Sequence, residues 1–205
     1  MDARAWDERY AASELVWSAT PNQFVASELA GLKPGRAADL AAGEGRNALW
    51  LAEQGWEVTA VDFSLTGLDK GRALQERHER GRDLHVDWVH GDVLTFESGP
   101  VPYDLVVLAY LQLTEDERRT AVRRAFGALR VGGTFFLVAH DTTNLTEGTG
   151  GPQEASVLMT AEDVVADLAG TGVEVQRAER VARGVAGDDG TRTAYDALVR
   201  AVLPG

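Results

Sequence analysis

The spacing of apolar and polar residues divides the chain into alternating strands and helices. Short apolar or alternating runs are typical of strands, and longer stretches with apolar residues every three or four positions are typical of amphipathic helices. The predicted strands cover 36–41, 58–61, 84–88, 103–108, 135–138, 173–181 and 194–202, and the predicted helices cover 21–30, 46–54, 65–80, 115–129 and 161–169. This order predicts an α/β protein with a mostly parallel sheet, and the last two strands, with no helix between them, should be antiparallel.

Composition limits the class of protein and its partners. The 205 residues include 20 basic and 32 acidic side chains, a net charge of −12, which argues against a nucleic-acid partner. There is no cysteine, and His85 and His90 lack a third ligand, so we expect no metal site. The longest apolar run, 105–111, is too short to cross a membrane. We therefore expect a single cytoplasmic domain over 1–205, without membrane contact, as a monomer or homodimer.

A glycine turn between the first strand and the following helix indicates a cofactor site. Gly43 and Gly45 allow the backbone to approach a bound molecule closely, because glycine has no Cβ atom. Asp39 lies near the end of the first strand, and Asp62 ends the second strand, 19 residues after Gly43. In parallel sheets, ligands bind at the carboxyl ends of the strands, and an acid at this distance contacts a ribose. The pattern predicts an adenosine-containing cofactor.

Asp39 indicates which cofactor this is. Gly43, Gly45 and Ala48 also fit a dinucleotide-binding pattern, so the glycines alone leave two classes of cofactor open. A carboxylate at position 39 would repel a pyrophosphate, whereas the sulfonium and ammonium groups of S-adenosylmethionine would attract it. The residue Asp39 therefore favours S-adenosylmethionine over a dinucleotide.

The segment Asp39-Leu40-Ala41-Ala42-Gly43-Glu44-Gly45 resembles the first motif of class I S-adenosylmethionine-dependent methyltransferases. Over about residues 6–140 the chain is similar to small bacterial methyltransferases of the tellurite-resistance type. The resemblance implies a Rossmann-like class I methyltransferase fold, a seven-stranded sheet of order 3-2-1-4-5-7-6 with a terminal antiparallel hairpin, and S-adenosyl-L-homocysteine as product. It also implies a small-molecule acceptor. Ala41 replaces a glycine of the family motif, and its methyl group fits there if its φ is negative.

Candidate site residues follow from these motifs. Asp62 is expected to bind the ribose hydroxyls, although it could instead cap the next helix, and the resemblance assigns Asp92 to the adenine amino group. Phe63 and Val93 would enclose the adenine ring or fill the core. The full set of predicted cofactor residues is Asp39, Ala41, Gly43, Gly45, Asn47, Asp62, Phe63, Asp92, Val93, Trp17 and Tyr110.

Predicted catalytic residues follow the fourth and fifth strands. Tyr110 would line the acceptor site, and His140 and Asp141 are candidates for proton removal, since histidine titrates near neutral pH. Each has a structural alternative, as an aromatic cover or a hydrogen-bonded strand end.

Three segments could cover the site. An aromatic N-terminal segment, 1–20, is predicted to form a lid, and 141–155 and 183–192 are predicted to be loops beside the cleft. Two alternative functions remain open: a non-catalytic S-adenosylmethionine-binding module and an NAD(P)-dependent oxidoreductase. The second would need a proton donor such as Tyr-x-x-x-Lys, a spacing that does not occur in the sequence.

Overall fold

A computed structural model of the protein describes residues 3–16, 18–187 and 190–205. Its centre is a seven-stranded sheet with the spatial order β3-β2-β1-β4-β5-β7-β6. The strands are β1 Arg36–Leu40, β2 Glu57–Asp62, β3 Val86–His90, β4 Tyr103–Ala109, β5 Leu129–His140, β6 Glu174–Gly187 and β7 Gly190–Val202. β1 to β5 are parallel, whereas β7 is antiparallel to both β5 and β6. The predicted fold class and strand order are confirmed.

Six α-helices accompany the sheet in the described part of the chain. They are α1 Ala3–Ala11, α2 Gln23–Leu29, α3 Arg46–Glu53, α4 Leu65–Arg77, α5 Glu115–Gly127 and α6 Ala161–Asp167. Short 3-10 helices occur at Gly81–Asp83, Thr142–Leu145 and Ala155–Val157. None of the described helices is both long and apolar enough to cross a membrane.

The central strands of the sheet are buried on both faces, which explains the apolar run at 105–108. Phe126 of α5 and Val164 of α6 pack on one face, and Leu29 of α2 and Leu51 of α3 pack on the other. Successive β4 residues alternate between these two cores, because side chains along a strand point to opposite faces. A parallel strand covered on both sides therefore needs apolar residues at every position.

The loop predicted at 183–192 is wrong. β6 continues to Gly187 and β7 begins at Gly190, so that Arg183 pairs with Ala194 and Val185 pairs with Arg192 in an extended hairpin. β6 is the edge strand of the sheet, and most of its side chains are exposed to solvent. Charged residues on a solvated edge strand have the composition of a loop, which explains the error.

The N-terminal part of the chain differs from the prediction at two points. Residues Ala3–Ala11 form the helix α1, which the apolar pattern did not indicate. The N-cap of α2 is Asn22, which accepts hydrogen bonds from the backbone N–H groups of Phe24 and Val25. The sequence predicted that this helix begins at 21. A cap accepts from the N–H groups two and three residues on, and because Asn22 makes these bonds the helix begins two residues later than predicted.

Candidate active site

A cavity of about 630 Å³ opens where β1, β2 and β4 end. This volume is within the usual range for small-molecule sites, and the position is the expected ligand crevice of a parallel sheet. The predicted cofactor residues that line this cofactor cavity are Ala41, Gly43, Asn47, Asp62, Phe63, Asp92, Val93 and Tyr110. Asp39 and Gly45 are not part of its lining, and Trp17 lies outside the described residues.

The turn after β1 has an unusual backbone conformation. Ala41, Gly43 and Gly45 all have positive φ angles, of 58°, 57° and 75°. A Cβ atom on Gly43 would lie 2.5 Å from the Tyr10 hydroxyl, so glycine is required there by α1. A Cβ atom on Gly45 would lie 2.2 Å from the Trp88 ring, so this glycine allows the start of α3 to pack against β3.

The condition under which the Ala41 methyl group was expected to fit, a negative φ, is not met, since its φ is 58°. A left-handed conformation costs a residue with a Cβ atom about 1–2 kcal/mol. The conformation is held by the next peptide, since the Ala42 N–H donates to the Val61 carbonyl at 3.0 Å. Ala41 lines the cavity, at the position where the family motif has a glycine.

Asp62 connects the turns that follow β1 and β2. Its Oδ2 atom accepts from the Gly43 N–H at 2.7 Å, and its Oδ1 atom accepts from the Ser64 N–H at 2.8 Å. Burial raises the pKa of this carboxyl group, although the two backbone bonds oppose the effect. Helix α4 is capped by Ser64, which accepts from the Gly67 N–H at 3.0 Å, so Asp62 is not needed as the cap. Each oxygen of Asp62 has a further lone pair that a ligand can use.

Asp39 is buried in β1 behind the turn and does not reach the cavity surface. It is 1% exposed, and its Oδ2 atom has no hydrogen-bond partner. Burial raises the pKa of its carboxyl group to about 7, with a smaller contribution from the nearby charge of Asp62. The predicted direct contact between Asp39 and a cationic ligand is therefore not part of this geometry.

Helix α1 covers the cofactor cavity and is fixed to α4 by its polar residues. Trp6 and Tyr10 line the cavity from above the turn. Asp7 accepts from the Ser64 hydroxyl at 2.5 Å and from the Thr66 N–H at 3.1 Å. The Ser64 hydrogen bond is the main reason why the pKa of the Asp7 carboxyl group is lowered.

A second attachment holds the segment after α1. Lys70 of α4 donates to the carbonyl oxygens of Tyr10 and Ser13, and its ammonium group lies 3.1 Å from Glu44. Glu44, the middle residue of the glycine turn, also accepts from the Val16 N–H at 3.0 Å. The N-terminal segment is thus tied directly to the turn that forms the cofactor cavity.

A second cavity of about 890 Å³ adjoins the first one, and we call it the acceptor cavity. The two cavities share Arg46, Tyr110 and Gln112 as lining residues. The acceptor cavity is bounded by 20–23, by the loop 149–154 and by two residues of β6, Arg183 and Val185. Part of the predicted cleft-side loop 141–155 therefore does lie beside the site.

A buried polar cluster forms the wall between the two cavities. Tyr110 donates its hydroxyl proton to Asp196 Oδ2 at 2.8 Å and accepts from the Asn22 side-chain amide at 3.1 Å. Arg183 Nε donates to the same carboxylate at 2.8 Å. His140 Nδ1 lies 3.6 Å from Asp196 Oδ1, and its ring centre is 4.6 Å from that of Tyr110. Tyr110 has a φ of 59°, an outlier for an aromatic residue of the kind that occurs at functional sites.

The cluster fixes the protonation of its members. Burial opposes ionisation of Asp196, but the contacts with His140 and Arg183 outweigh it and lower the pKa of the carboxyl group. Burial and the neighbouring Asp196 charge raise the pKa of the Tyr110 phenol. Tyr110 consequently stays protonated at neutral pH and cannot remove a proton, although its ring lines both cavities.

Asp141 does not have the predicted catalytic geometry. It is 3% exposed, lines neither cavity, and accepts from the backbone N–H and the hydroxyl of Thr143, at 2.9 Å and 2.7 Å. It caps a 3-10 helix, which is the common role of an aspartate after a strand.

Sequence reasoning missed Asp196, Arg183 and Arg46. Asp196 could have been noticed as an acid within the mostly apolar strand 194–202. Arg183 was missed because its segment was assigned to a loop, and Arg46 was missed because attention went to the motif residues beside it. Among the residues that the structure describes, no group of three potential ligands could hold a metal ion.

Residues 37–133 match a family model described as a methyltransferase domain. The segment that contributes the glycine turn and Asp62 to the cofactor cavity is thus similar to methyltransferase domains. An uncharacterized methyltransferase of Mycobacterium tuberculosis is 33% identical over 111 residues, which are 54% of this chain and 53% of that protein. The chain therefore spans about half the length of the curated relatives it matches. The match does not support the oxidoreductase alternative.

Solved structures share the fold over a larger part of the chain. CcbJ from Streptomyces caelestis is 20% identical, with both chains fully covered and a TM-score of 0.72. TehB from Haemophilus influenzae is 18% identical over 89% of this chain and 62% of its own, with a TM-score of 0.71. At these identities the likeness establishes the fold, and activity has to be argued from the site.

The raised pKa of Asp39 predicts how the stability of the protein depends on pH. Between its ordinary value of 3.8 and the folded value of about 7, the folded state binds more protons than the unfolded state. The contribution of Asp39 to the free energy of unfolding therefore decreases as pH rises through this interval and is constant above it. We therefore expect the difference in free energy of unfolding between Asp39→Asn and the wild type to change in favour of the variant from about pH 4 to pH 8. The change should be a few kcal/mol, on the order of 1.4 kcal/mol per pKa unit.

Denaturant unfolding at several pH values measures this gain. Asp69→Asn is the control, because Asp69 is an exposed carboxylate on α4. A stability difference between Asp39→Asn and wild type that does not change with pH would contradict the assignment.

The Lys70 contacts predict that the N-terminal segment is locally stabilised by one side chain. Lys70→Met removes donors to two carbonyl oxygens and the partner of Glu44, so hydrogen exchange at 6–16 should become faster. Saturation with S-adenosylhomocysteine should restore part of the protection, since the segment also covers the cavity. Lys33→Met is the control because Lys33 is exposed. Equal exchange in Lys70→Met and wild type would show that the segment is held by other contacts.

Proposed function

We propose that the protein transfers the methyl group of S-adenosylmethionine to a small molecule bound in the acceptor cavity. The observation that carries this proposal is the position of that cavity, which meets the cofactor cavity at Tyr110, where the sheet ends. An acceptor there would be next to the cofactor and largely enclosed by loop and hairpin residues. The glycopeptide N-methyltransferase MtfA, known with bound S-adenosylmethionine, shares the fold at 23% identity, 87% of this chain, 91% of its own and a TM-score of 0.66.

The residues of the cofactor cavity fit S-adenosylmethionine. The lone pairs of Asp62 suit ribose hydroxyls, and Asp92, whose Oδ1 accepts from the Leu94 N–H at 2.8 Å, is placed beside Val93 and Phe63 for an adenine ring. The left-handed turn brings the backbone of Gly43 to the cavity surface. When bound, S-adenosylmethionine supplies an electrophilic methyl group next to a positively charged sulfur.

The protein's own contribution is alignment, exclusion of water and removal of a proton. Tyr110 forms a fixed wall between cofactor and acceptor, because its hydroxyl is bound to Asp196 and Asn22. Helix α1 keeps solvent from the cofactor cavity, which favours transfer reactions that need a dry site. His140 lines the acceptor cavity and is proposed to take the acceptor's proton. Asp196 is its positioning residue, since Asp196 Oδ1 lies 3.6 Å from His140 Nδ1.

The remaining functional expectations are part of this proposal. The net charge of −12 favours a small acceptor over a nucleic acid. One relative is the ribosomal RNA small subunit methyltransferase C of Alcanivorax borkumensis. It is 30% identical over 112 residues, which are 33% of that protein. A cytoplasmic location and a monomeric or homodimeric state stay predictions from the sequence.

The ribose contact can be tested by removing the Asp62 carboxylate. Hydrogen bonds to charged groups contribute about 1.5–3 kcal/mol, so Asp62→Ala should weaken S-adenosylhomocysteine binding roughly 10- to 150-fold by calorimetry. It should also lower the melting temperature, because the N–H groups of Gly43 and Ser64 lose their acceptor. Asp69→Ala on the exposed face of α4 is the matched control. Unchanged affinity in folded Asp62→Ala would exclude Asp62 from ligand binding.

Methylated products identify the reaction. The purified protein is incubated with S-adenosylmethionine and a panel of small thiols, phenols and amines, and products with one added methyl group are sought by mass spectrometry. We expect turnover of at least one compound class and none of a structured ribosomal RNA fragment. Methylation of the RNA alone would contradict the proposed acceptor, and cofactor binding without any methylation would favour the non-catalytic module.

The role of His140 is tested on the same products. His140→Gln and Asp196→Asn should both lower kcat and remove the rate increase that accompanies deprotonation of a general base, while KM for S-adenosylmethionine changes little. An unaltered pH profile in both variants would show that the acceptor loses its proton without His140.

A further inference from the structure

The acceptor cavity is rich in arginine, although the protein as a whole is strongly acidic. Arg9 of α1, Arg46 of α3 and Arg183 of β6 all line it. Among the described residues of the lining, Glu154 is the one carboxylate. In a chain with 20 basic and 32 acidic residues, three arginines from separate elements at one cavity form a local excess of positive charge.

Two of these cations interact with each other. Burial lowers the pKa of the Arg46 guanidinium, and the charge of Arg183 lowers it further, against the opposing effects of Tyr110 and Asp39. Both cations have acidic neighbours, Asp196 beside Arg183 and Asp39 and Glu44 near Arg46, so their mutual repulsion is partly offset within the protein. A ligand with an anionic group between them would remove this repulsion.

Arg183 is held in an orientation suited to such a ligand. Its Nε atom is bound to Asp196 at 2.8 Å, and its guanidinium carbon lies 5.7 Å from the centre of the Tyr110 ring. A guanidinium group has five N–H donors, and Asp196 accepts from the Nε and Nη2 atoms of this one. The Asp196 contact fixes the plane of the group and leaves donors for carboxylate or phosphate oxygens, which arginine binds in a bidentate manner.

We propose that the methyl acceptor carries an anionic oxygen group, a carboxylate or a phosphate, that binds between Arg46 and Arg183 with Arg9 at the cavity mouth. This inference rests on the proposed function. It orients the acceptor, since an anion held by β6 and α3 leaves the remainder of the molecule to extend along the wall formed by Tyr110 and His140. The acidic surface elsewhere then disfavours anions at other sites.

Matched acceptor pairs test the proposal. Each thiol, phenol and amine scaffold is supplied in three forms: a carboxylate, a phosphate monoester and a neutral methyl ester or amide. Wild-type kcat/KM should be about tenfold or more higher for one of the anionic forms than for the neutral form, because charge-assisted hydrogen bonds contribute on that scale. Which anion is preferred distinguishes a carboxylate site from a phosphate site.

Variants locate the effect in the arginines. Arg9→Gln and Arg183→Gln should reduce the preference for the anionic form, whereas Arg183→Lys, which keeps the charge, should retain part of it. Arg4→Gln is the matched control, because Arg4 lies on the same helix as Arg9, is 87% exposed and pairs with Glu8. Calorimetry with S-adenosylhomocysteine verifies that the cofactor cavity is intact in every variant.

A binding measurement keeps the inference separate from the proposed function. Protein saturated with S-adenosylhomocysteine is mixed with benzoate, phenyl phosphate or neutral benzamide, and binding is followed by ligand-observed NMR. Binding of an anion in wild type and its loss in Arg183→Gln support the inference even if no compound is methylated. Efficient turnover of neutral acceptors with no anion preference would overturn it and leave the proposed function standing. Absence of both anion binding and anion preference would overturn it as well.

Discussion

The burial of the Asp196 carboxylate is the constraint on which the acceptor half of the protein depends. Asp196 is 0% exposed in β7, and an isolated buried charge costs several kcal/mol unless it is paired and hydrogen-bonded. Its partners come from three other strands or strand ends: Tyr110 after β4, His140 at the end of β5 and Arg183 in β6. Satisfying one carboxylate therefore fixes the wall of the acceptor cavity, the imidazole and an arginine at once.

A similar arrangement organises the cofactor half. Asp62 holds the turns after β1 and β2 together, and α1 is attached to α4 above them. The non-glycine residues with positive φ in the described chain, Ala41 and Tyr110, each follow one of the adjacent strands β1 and β4. The connections from these two strands diverge to opposite sides of the sheet, which opens the crevice there. Both sharp turns direct backbone into that crevice, and strain of this kind is tolerated where surrounding contacts fix it.

The two halves are encoded in different parts of the chain. The match to the methyltransferase domain covers 37–133, which contains the turn, Asp62, Asp92 and Tyr110. His140, Arg183 and Asp196 lie after it, and Arg9 and Asn22 lie before it. The matched segment thus provides most of the lining of the cofactor cavity, to which α1 adds Trp6 and Tyr10. Most of the residues that distinguish the acceptor cavity come from outside the matched segment.

Local chemistry was sufficient to predict the order of the strands and of the helices after α1, the glycine turn and the acid at the end of β2, because apolar periodicity and glycine conformation act over a few residues. It was not sufficient for contacts between distant segments. Asp39 matched a motif but is buried behind the turn, and Asp141 caps its own loop, because burial and hydrogen-bond partners depend on the packed neighbours. The charged residues at 183–187 belong to β6, and only the folded sheet establishes the pairing of β6 with β7. The convergence of Arg46, Arg183 and Asp196 likewise required tertiary structure, since residues far apart in sequence become neighbours only when the strands are assembled.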